Sequence, residues 1–351
     1  MLYITKEGEI VNTDPANDYF DKVNELLDQW NSGREVFELR TSGSTGRPKE
    51  ILVKRSQIEA SIELSRKALK INQDDLFFCC LNVNYIAGMM MLLRAAHIGC
   101  DIIVVEPTSN PFDSLGKMEY LITKNQGKNF FSFVPLQLQT ILESENGLRF
   151  LKSAKVIIVG GAAINKVLRD KVIETKLPVF ETYGMTETIS HVALKNVSQG
   201  HDYFKAIEGV DIEANTNNCL RILSSSTEND WVQTNDVVDI VGKGCFVLKG
   251  RADNIINSGG VKIQLEEIER KLADHFQWTN RFFCFGKADE KLGQKLVLVI
   301  ESQDKIVDLT ELTPIFSKFE VPKEIFFVKS FAETASAKVD KIRTINEIIS
   351  Y

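Results

Sequence analysis

Hydroxyl groups, glycines and one lysine are concentrated in residues 41–50, TSGSTGRPKE. A loop of this composition offers backbone N–H groups, hydroxyls and the Lys49 ammonium to the oxygens of a polyphosphate. The spacing differs from the Walker A pattern, because no Gly-Lys-Ser/Thr ends the segment and Pro48 precedes the lysine. The segment therefore predicts either a phosphate-binding loop of another kind or an ordinary turn-rich loop.

Later segments of the chain also carry polar groups that could act on a ligand. The segments are ETYGMTETIS, TND, GRADNIINSGG and TASAKVDKIR, with the candidate groups Tyr183, Thr186, Glu187, Asp236, Arg251, Asp253 and Lys338. Each segment alone is weak evidence, because a tyrosine-glycine turn is usually structural and an exposed lysine is usually only solvated. Their order along the chain makes them informative as a set.

Strand and helix patterns alternate between the opening loop and the tyrosine-glycine turn. The predicted strands are 76–81, 101–106, 129–134, 154–161 and 178–184, and the predicted helices between them are 86–99, 114–124, 135–145 and 164–176. Such alternation predicts a parallel sheet covered by helices on both faces. Ligands of these sheets bind beyond the carboxyl ends of the strands, where VPLQ, VGGAA and ETYGMTE fall.

Two amphipathic helices frame this alternating region. The first is predicted over 18–30, with Phe20, Val23, Leu27 and Trp30 on one face. The second is predicted over 264–276, with Leu265, Ile268, Leu272 and Phe276 on one face. Short strands at 219–224, 231–241 and 245–250 precede the second helix, and strands at 295–302 and 324–330 follow it.

The fold class predicted from these patterns is α/β. A large N-terminal domain, 1–249, would hold mostly parallel sheets covered by helices and a small β region. A small mobile α+β domain, 250–351, would follow it. A length of 351 residues suits two domains.

Composition excludes several classes of protein. The net charge of −6 argues against a nucleic-acid partner. Six cysteines without a C-x-x-C pair indicate reduced core residues in a cytoplasmic protein. The N-terminus has charges where a signal peptide needs an apolar core. Polar residues such as Arg94 interrupt the apolar stretch 76–105, so no membrane span is expected.

The motifs together resemble those of the adenylate-forming superfamily, which contains acyl-CoA synthetases, adenylation domains and luciferases. The resemblance runs from about residue 38 to residue 343. Within this superfamily, LNVNYIAGMMMLLRAAHIG, FSFVPLQLQTIL and KVIIVGGAAI are most similar to the o-succinylbenzoate-CoA ligases of menaquinone biosynthesis. The resemblance implies a ligase that joins a carboxylic acid to the α-phosphate of ATP, releases pyrophosphate and passes the acyl group to CoA.

The resemblance also implies the residues that hold ATP and Mg²⁺. The β- and γ-phosphates would be held by Thr41, Ser42, Gly43, Ser44, Thr45, Gly46 and Lys49. Thr186 would contact the α-phosphate, and Glu187 would hold Mg²⁺. The further ATP-binding residues would be Gly161, Ala162, Ala163, Thr182, Tyr183, Gly184, Met185, Asp236 and Arg251, with adenine against Tyr183 and the ribose on Asp236. The structural alternatives are a solvated charge at Glu187, a core aromatic at Tyr183 and a turn cap at Asp236.

Further roles concern the acid, the thioester step and the hinge. By the resemblance, Lys338 would neutralise the carboxylate and the α-phosphate as they meet, and Asp253 would be the hinge between the domains. The CoA path would be lined by Ser258, Gly259 and Gly260. The acid pocket would contain Tyr85, Gly88, Ser132, Pro135, Gly160 and His191, although a lone histidine is more often structural.

The chain departs from the family pattern at several positions. Glu50, Asn235 and Ala337 replace glycines, and Tyr85 stands where a histidine is common. Only about 40 residues precede the phosphate loop, so a subdomain's worth of the family pattern is missing there. Either that part is dispensable, or a partner subunit covers the sheet face, as in a homodimer.

Two other functions stay open from the sequence. One is an adenylating enzyme that passes another acid to the thiol of a carrier protein or to another acceptor. The other is a shortened, catalytically silent nucleotide-binding paralogue, against which the presence of Lys49, Glu187, Asp236 and Lys338 argues.

Overall fold

The computed structural model describes residues 1–41, 49–276, 281–333 and 339–349, without the side chains of residues 40, 41, 49, 50 and 349. The chain forms two compact units. The first comprises Met1–Glu213, Arg221–Val232 and Ile240–Val247, and the second comprises Ala214–Leu220, Gln233–Asp239 and Leu248–Tyr351. The predicted domain boundary between residues 249 and 250 stays a prediction.

The first unit alternates strands and helices. Its elements are β1 (Leu2–Ile4), β2 (Ile10–Asn12), α1 (Asp18–Asn31), β3 (Val36–Thr41), β4 (Lys49–Lys54), α2 (Arg55–Ala68), β5 (Leu76–Cys79), α3 (Ile86–Ile98), β6 (Asp101–Val104), α4 (Glu119–Lys124), β7 (Asn129–Phe133), α5 (Pro135–Leu142), α6 (Glu145–Leu151), β8 (Ala154–Val159), α7 (Lys166–Thr175), β9 (Val179–Gly184), β10 (His191–Asn196) and β11 (Phe204–Ala206).

The remaining chain is richer in antiparallel strands. Four strands each contain residues of both units, and they are β12 (Val210–Ala214), β13 (Cys219–Ser224), β14 (Val232–Gly242) and β15 (Cys245–Arg251). The second unit continues with β16 (Ile255–Ser258), β17 (Val261–Gln264), α8 (Leu265–Phe276), β18 (Phe282–Asp289), β19 (Gly293–Glu301), α9 (Leu309–Leu312), β20 (Glu324–Val328) and α10 (Lys341–Ile349).

The central strands of the first unit form the predicted parallel sheet. They lie side by side in the order β6, β5, β7, β8 and β9, and each neighbouring pair is parallel. Strand β1 extends the sheet antiparallel to β6, and β10 extends it antiparallel to β9. The predicted α/β fold is confirmed.

Both faces of this sheet are buried under helices. Phe78 and Phe131 point into a cluster with residues of α5, α6 and α7, whereas Phe77 and Phe130 point into a cluster with residues of α1 and α3. Successive side chains of a strand point to opposite faces, which is why neighbouring phenylalanines enter different clusters. The predicted burial of apolar strands on both faces is confirmed.

Helix α1 covers part of one sheet face. The side chain of Asn17 caps it by accepting a hydrogen bond from the Tyr19 N–H at 3.0 Å. The predicted apolar face is buried, and Phe20, Val23 and Leu27 pack in the cluster that contains Phe77 and Phe130. The residues before the predicted phosphate loop therefore cover part of one sheet face.

Two predicted helices differ in the structure. The helix predicted over 135–145 ends at Leu142, and Ser144 begins a new helix by accepting from the Gly147 N–H at 3.3 Å. The helix predicted over 114–124 is α-helical only from Glu119, because 3₁₀ turns at Pro111–Ser114 and Gly116–Met118 precede it. Gly116 has a φ of +50°, which an α-helix does not accommodate.

The second unit has its own apolar core. Strand β19 pairs antiparallel with β18 and parallel with β20, and α8 packs on these strands. Leu265, Ile268 and Leu272 are buried, and Phe276 is partly buried against them. The predicted apolar face of this helix is confirmed.

The cysteines fit the core role predicted for them, because all six are free thiols and five are buried. Within the ranges that the structure describes, no helix has the length and apolar character needed to cross a membrane.

Candidate active site

The loops that follow β5, β7, β8 and β9 lie along one edge of the sheet, because these strands are parallel. Tyr85, Gly160 and Thr186 lie in the segments that follow β5, β8 and β9, and Pro135 begins α5 directly after the end of β7. Strand β5 has β6 on one side and β7 on the other, so the strand order reverses there, and ligands of open parallel sheets bind at such a position. The parallel sheet thus brings together residues from four predicted motifs.

The loop after β8 is held closely against β9. A Cβ atom at Gly160 would lie 2.5 Å from Thr182 Oγ1, so this position needs a glycine. Thr182 Oγ1 donates to the carbonyl oxygen of Val159 at 3.2 Å. Gly161 has a φ of +85°, and residues 161–163 are exposed. Their accessible backbone is suited to the flat edge of a base.

The turn after β9 presents one carboxylate to solvent. A 3₁₀ turn over Thr186–Thr188 is closed by the Met185 N–H, which donates to Thr188 Oγ1 at 3.0 Å. Thr186 is half-buried and Glu187 is exposed. An accessible single carboxylate beside a hydroxyl fits Mg²⁺, which binds few protein carboxylates and completes its shell with phosphate oxygens and water.

The same turn carries backbone strain. Ile189 has a φ of +70°, which is unusual for a β-branched residue. A Cβ at Gly184 would lie 2.2 Å from the carbonyl oxygen of Ser190, so the two ends of the turn touch. Strain of this kind persists where the surrounding structure enforces it, and it is common at functional sites.

Tyr183 is packed among aromatic rings. Only 7% of its surface is exposed, and its ring centroid lies 5.1 Å from that of Phe246 and 5.8 Å from that of Phe204. Most of the Tyr183 side chain is therefore packed as a core aromatic, which is the structural alternative to adenine binding. Its predicted contact with adenine stays a prediction.

The hairpin β3–β4 flanks the predicted phosphate loop on both sides. Thr41 pairs with Lys49, so both ends of the loop are adjacent. The hairpin residues Phe37 and Leu39 pack in one cluster with Ile189, which ends the turn after β9. Residues 42–48, and with them Ser42, Gly43, Ser44, Thr45 and Gly46, lie outside the described residues, as does the side chain of Lys49.

The predicted acid-pocket residues differ in their surroundings. Tyr85 is half-buried at the start of α3, and Ser132 is 6% exposed on β7. A Cβ at Gly88 would lie 2.3 Å from the carbonyl oxygen of Asn82, so this glycine allows α3 to pack on the loop after β5. This contact gives Gly88 a packing role, and its place in an acid pocket stays a prediction.

His191 is buried behind the turn, with 7% of its surface exposed. Its Nε2 lies 3.1 Å from Ser65 Oγ, and its Nδ1 lies 3.3 Å from Ser190 Oγ. Burial, with a smaller contribution from the charge of Arg94, lowers the pKa of His191 to about 3. The imidazole is therefore neutral at physiological pH.

Arg94 is the residue that sequence reasoning missed. It is 1% exposed on α3, and its Nη2 contacts Ser65 Oγ and Ser190 Oγ at 3.4 Å each. Its Nε has no hydrogen-bond partner, and none of the described carboxylates forms an ion pair with it. Burial lowers the pKa of Arg94 to about 10, so the group is still charged at neutral pH. In the sequence, Arg94 could have been recognised as the single charge within the apolar helix IAGMMMLLRAAHI.

In the second unit, the predicted ribose and hinge residues lie together. Arg251 forms a bidentate pair with Asp253, with Nε and Nη2 each 3.0 Å from a carboxylate oxygen. Arg251 Nη1 also lies 3.6 Å from Asp236 Oδ1. Hydrogen bonding to Arg251 lowers the pKa of Asp253. The predicted roles of these residues stay predictions.

The predicted CoA segment forms a hairpin turn between β16 and β17. Ser258 pairs with Val261, and the two glycines between them have φ values of +60° and +84°. Gly259 and Gly260 are exposed, whereas Ser258 is buried. The turn geometry explains both glycines, and their contact with CoA stays a prediction. Lys338 lies outside the described residues.

Comparison with known proteins identifies the family of the chain. The family model of AMP-binding enzymes matches residues 22–232. A protein of Dyadobacter fermentans, described as acyl-CoA synthetase (AMP-forming)/AMP-acid ligase II-like, is 38% identical, with 99% of this chain and 100% of that chain covered and a TM-score of 0.65. The 2-succinylbenzoate–CoA ligase of Listeria monocytogenes serotype 4b is 26% identical over 341 residues, which cover 90% of this chain and 71% of the relative.

A solved structure from Bacillus subtilis has the same fold. It is the o-succinylbenzoate coenzyme A synthetase in complex with ATP and magnesium, with 21% identity, 88% of this chain and 69% of that chain covered and a TM-score of 0.74. The chain belongs to the family of AMP-binding enzymes. The predicted enzyme class, an AMP-forming acid–CoA ligase, is confirmed with the family.

Proposed function

We propose that this protein joins o-succinylbenzoate to CoA at the expense of ATP, in the cytoplasm, as a step of menaquinone biosynthesis. The names of its relatives support the choice of acid. The observation that carries the choice of acid is the buried, uncompensated charge of Arg94.

A guanidinium that is buried without a partner lowers the free energy of unfolding by roughly several kcal/mol. A bound carboxylate would remove this penalty, and Arg is well suited to bidentate carboxylate recognition. o-Succinylbenzoate has two carboxylates, of which only one is activated. The second would lie in reach of Arg94 and of the hydroxyls of Ser65 and Ser190, with the half-buried Ser190 leading toward the turn after β9.

In the first half-reaction, the carboxylate oxygen of the acid attacks the α-phosphorus of ATP, and pyrophosphate leaves. Thr186 would donate a hydrogen bond to the α-phosphate, and Glu187 would hold Mg²⁺, which when bound neutralises phosphate charge. Lys338 would place its positive charge where the two anions meet. The pyrophosphate would be held by Lys49 and by the backbone and hydroxyls of residues 41–46.

In the second half-reaction, the CoA thiolate attacks the acyl carbon, and AMP leaves. Residues 258–260 would line the path of the pantetheine arm of CoA. Asp253 would act as the hinge between the two domains. Adenine would lie on residues 161–163 and Tyr183, and the ribose hydroxyls would donate to Asp236 with Arg251 nearby. The enzyme would act mainly by positioning and by charge stabilisation.

Pyrophosphate release over a panel of acids, with and without CoA, tests this function. We expect release with o-succinylbenzoate, and a thioester in the mass spectrum only when CoA is present. Release without thioester formation would favour transfer to a carrier-protein thiol, and no release with any acid would favour a silent paralogue. The Lys338→Ala variant should lose adenylation and keep thioester formation from preformed acyl-AMP, and equal loss of both steps would refute the role of Lys338.

A further inference from the structure

Glu181 on β9 is buried, with 5% of its surface exposed. Its partner across the β9–β10 register is Lys195, whose Nζ lies 2.6 Å from Glu181 Oε2. The contact is an ion pair by distance, although the geometry is not that of an aligned hydrogen bond. A buried carboxylate needs such compensation, but the position of this pair indicates more than a packing role.

The second carboxylate oxygen of Glu181 contacts the loop after β8. The Ile164 N–H donates to Glu181 Oε1 at 3.3 Å. Ile164 directly follows the exposed residues 161–163. The carboxylate therefore fixes the end of that loop to β9, while Thr182 contacts its beginning.

Lys195 contacts an aromatic ring on the other side of β9 from the loop of residues 161–163. Its Nζ lies 4.6 Å from the ring centroid of Phe204, a cation–π distance. The ring of Phe204 lies 5.8 Å from that of Tyr183. The ion pair thus connects the two parts of the predicted adenine surface, which are the loop of residues 161–163 and the Tyr183 ring.

We propose that Glu181 and Lys195 are positioning residues for the adenine end of ATP. The proposal rests on the proposed function, because it assigns adenine to this surface. Neither residue needs to touch the nucleotide. Removal of Lys195 would leave the Glu181 charge buried and uncompensated, and the carboxylate would turn toward water and release Ile164. The spacing between the loop and Tyr183 would then relax, which would misplace the groups that contact adenine.

The test compares KM values for ATP, the acid and CoA in Lys195→Met, Lys195→Arg and Glu181→Gln. We expect KM for ATP to rise about tenfold in Lys195→Met and about fivefold in Glu181→Gln, with the other KM values within about twofold of wild type. Lys195→Arg keeps the charge and should restore most of the affinity for ATP.

Lys155 offers a matched control, because its Nζ also lies 2.6 Å from a buried carboxylate, that of Asp75, at the amino end of the sheet. Lys155→Met should lower the unfolding temperature without a change in KM for ATP. The proposal is overturned if KM for ATP is unchanged in Lys195→Met, or if KM for the acid rises equally.

If Lys195→Met does not fold, Glu181→Gln carries the test alone, and a wild-type KM for ATP in that variant overturns the proposal. Calorimetric titration with ATP separates this outcome from failure of the proposed function. If the wild type binds ATP more tightly than the variants but forms no thioester with any acid, the positioning role stands and the proposed ligation fails.

Discussion

Arg94 and His191 form a buried polar cluster with Ser65 and Ser190, directly behind the turn that carries Thr186 and Glu187. The imidazole is neutral, so it does not compensate the guanidinium, and the hydroxyls supply only hydrogen bonds. A positive charge buried in this way destabilises the folded protein without a ligand, and it would attract an anionic ligand. This cluster supports the proposed acid, which carries a second carboxylate.

Replacing Arg94 by methionine tests this interpretation. Arg94→Met removes a buried charge that is not neutralised by the described residues, so we expect an unfolding temperature equal to or above that of the wild type. The kcat/KM for o-succinylbenzoate should fall about 100-fold or more, because the second carboxylate loses its partner.

An analogue of the acid in which the carboxylate that is not activated is replaced by hydrogen provides the control. Arg94→Met should turn over this analogue as the wild type does. A large loss of stability together with equal losses for both acids would assign Arg94 to the core instead.

His191 predicts a pH dependence of stability. Its folded pKa is about 3, whereas an unfolded histidine keeps a pKa of about 6.5. Below pH 6.5 the unfolded chain binds more protons than the folded chain, so the free energy of unfolding falls as the pH decreases. Between pH 7 and pH 5 this loss amounts to about 2 kcal/mol.

Urea unfolding of the wild type and of His191→Gln at both pH values measures this contribution. The glutamine variant should lack about 2 kcal/mol of the pH-dependent loss. Identical pH dependence in both proteins would mean that His191 becomes protonated in the folded state.

At the scale of elements, strands β8 and β9 define the spacing between the two parts of the predicted adenine surface. The contact between Gly160 and Thr182 leaves no room for a Cβ, since Thr182 Oγ1 would be 2.5 Å away. The next atom, Thr182 Cβ, would be 3.9 Å away, which is an ordinary contact. The obstruction therefore comes from a single hydroxyl oxygen.

This geometry predicts a rescue by a second substitution. Gly160→Ala should lower the free energy of unfolding by about 1 to 3 kcal/mol, the usual cost of overpacking. Gly160→Ala combined with Thr182→Ala should recover most of this loss relative to Thr182→Ala alone. Additive effects in chemical denaturation would show that the two residues do not interact.

Strong local patterns made much of the sheet predictable. The apolar runs around Phe77, Phe130 and Ile157 are long enough to indicate buried strands, and the helices between them require parallel order. Helix α2 was not predicted, because serines such as Ser61 and Ser65 occupy its buried face and weaken the apolar periodicity. The end of α5 was missed because the cap at Ser144 lies within a run of polar residues.

The candidate site was predictable where a motif is continuous. The turn at 184–190 carries its own glycine, hydroxyls and carboxylate, so the sequence identified it. The roles of Arg94 and Lys195 depend on contacts across 96 and 14 residues, with Ser190 and Glu181 respectively. Such contacts follow from strand order and helix packing, which single-sequence patterns do not specify.

At the scale of the whole molecule, the short N-terminal region is part of the core. Strands β1 and β2 extend the sheet beyond β6, and α1 packs on its face. The match to the Dyadobacter protein covers 100% of that chain. The homodimer suggested by the short N-terminus stays a prediction.

Phe20 tests the structural role of this region. It is 2% exposed, and Phe20→Ala should lower the free energy of unfolding by about 3 to 5 kcal/mol through lost burial and cavity formation. The exposed neighbour Lys22 supplies the control, because Lys22→Ala should change stability by less than about 0.5 kcal/mol. Equal, small effects of both substitutions in urea unfolding would show that α1 contributes little to the core.

A crystal structure with a stable analogue of the o-succinylbenzoyl adenylate tests the central claim most directly. We expect adenine against residues 161–163 and Tyr183, the phosphate mimic beside Thr186, and the second carboxylate within hydrogen-bond distance of Arg94. Adenine bound elsewhere, or a guanidinium that remains enclosed without contact to the acid, would contradict the account.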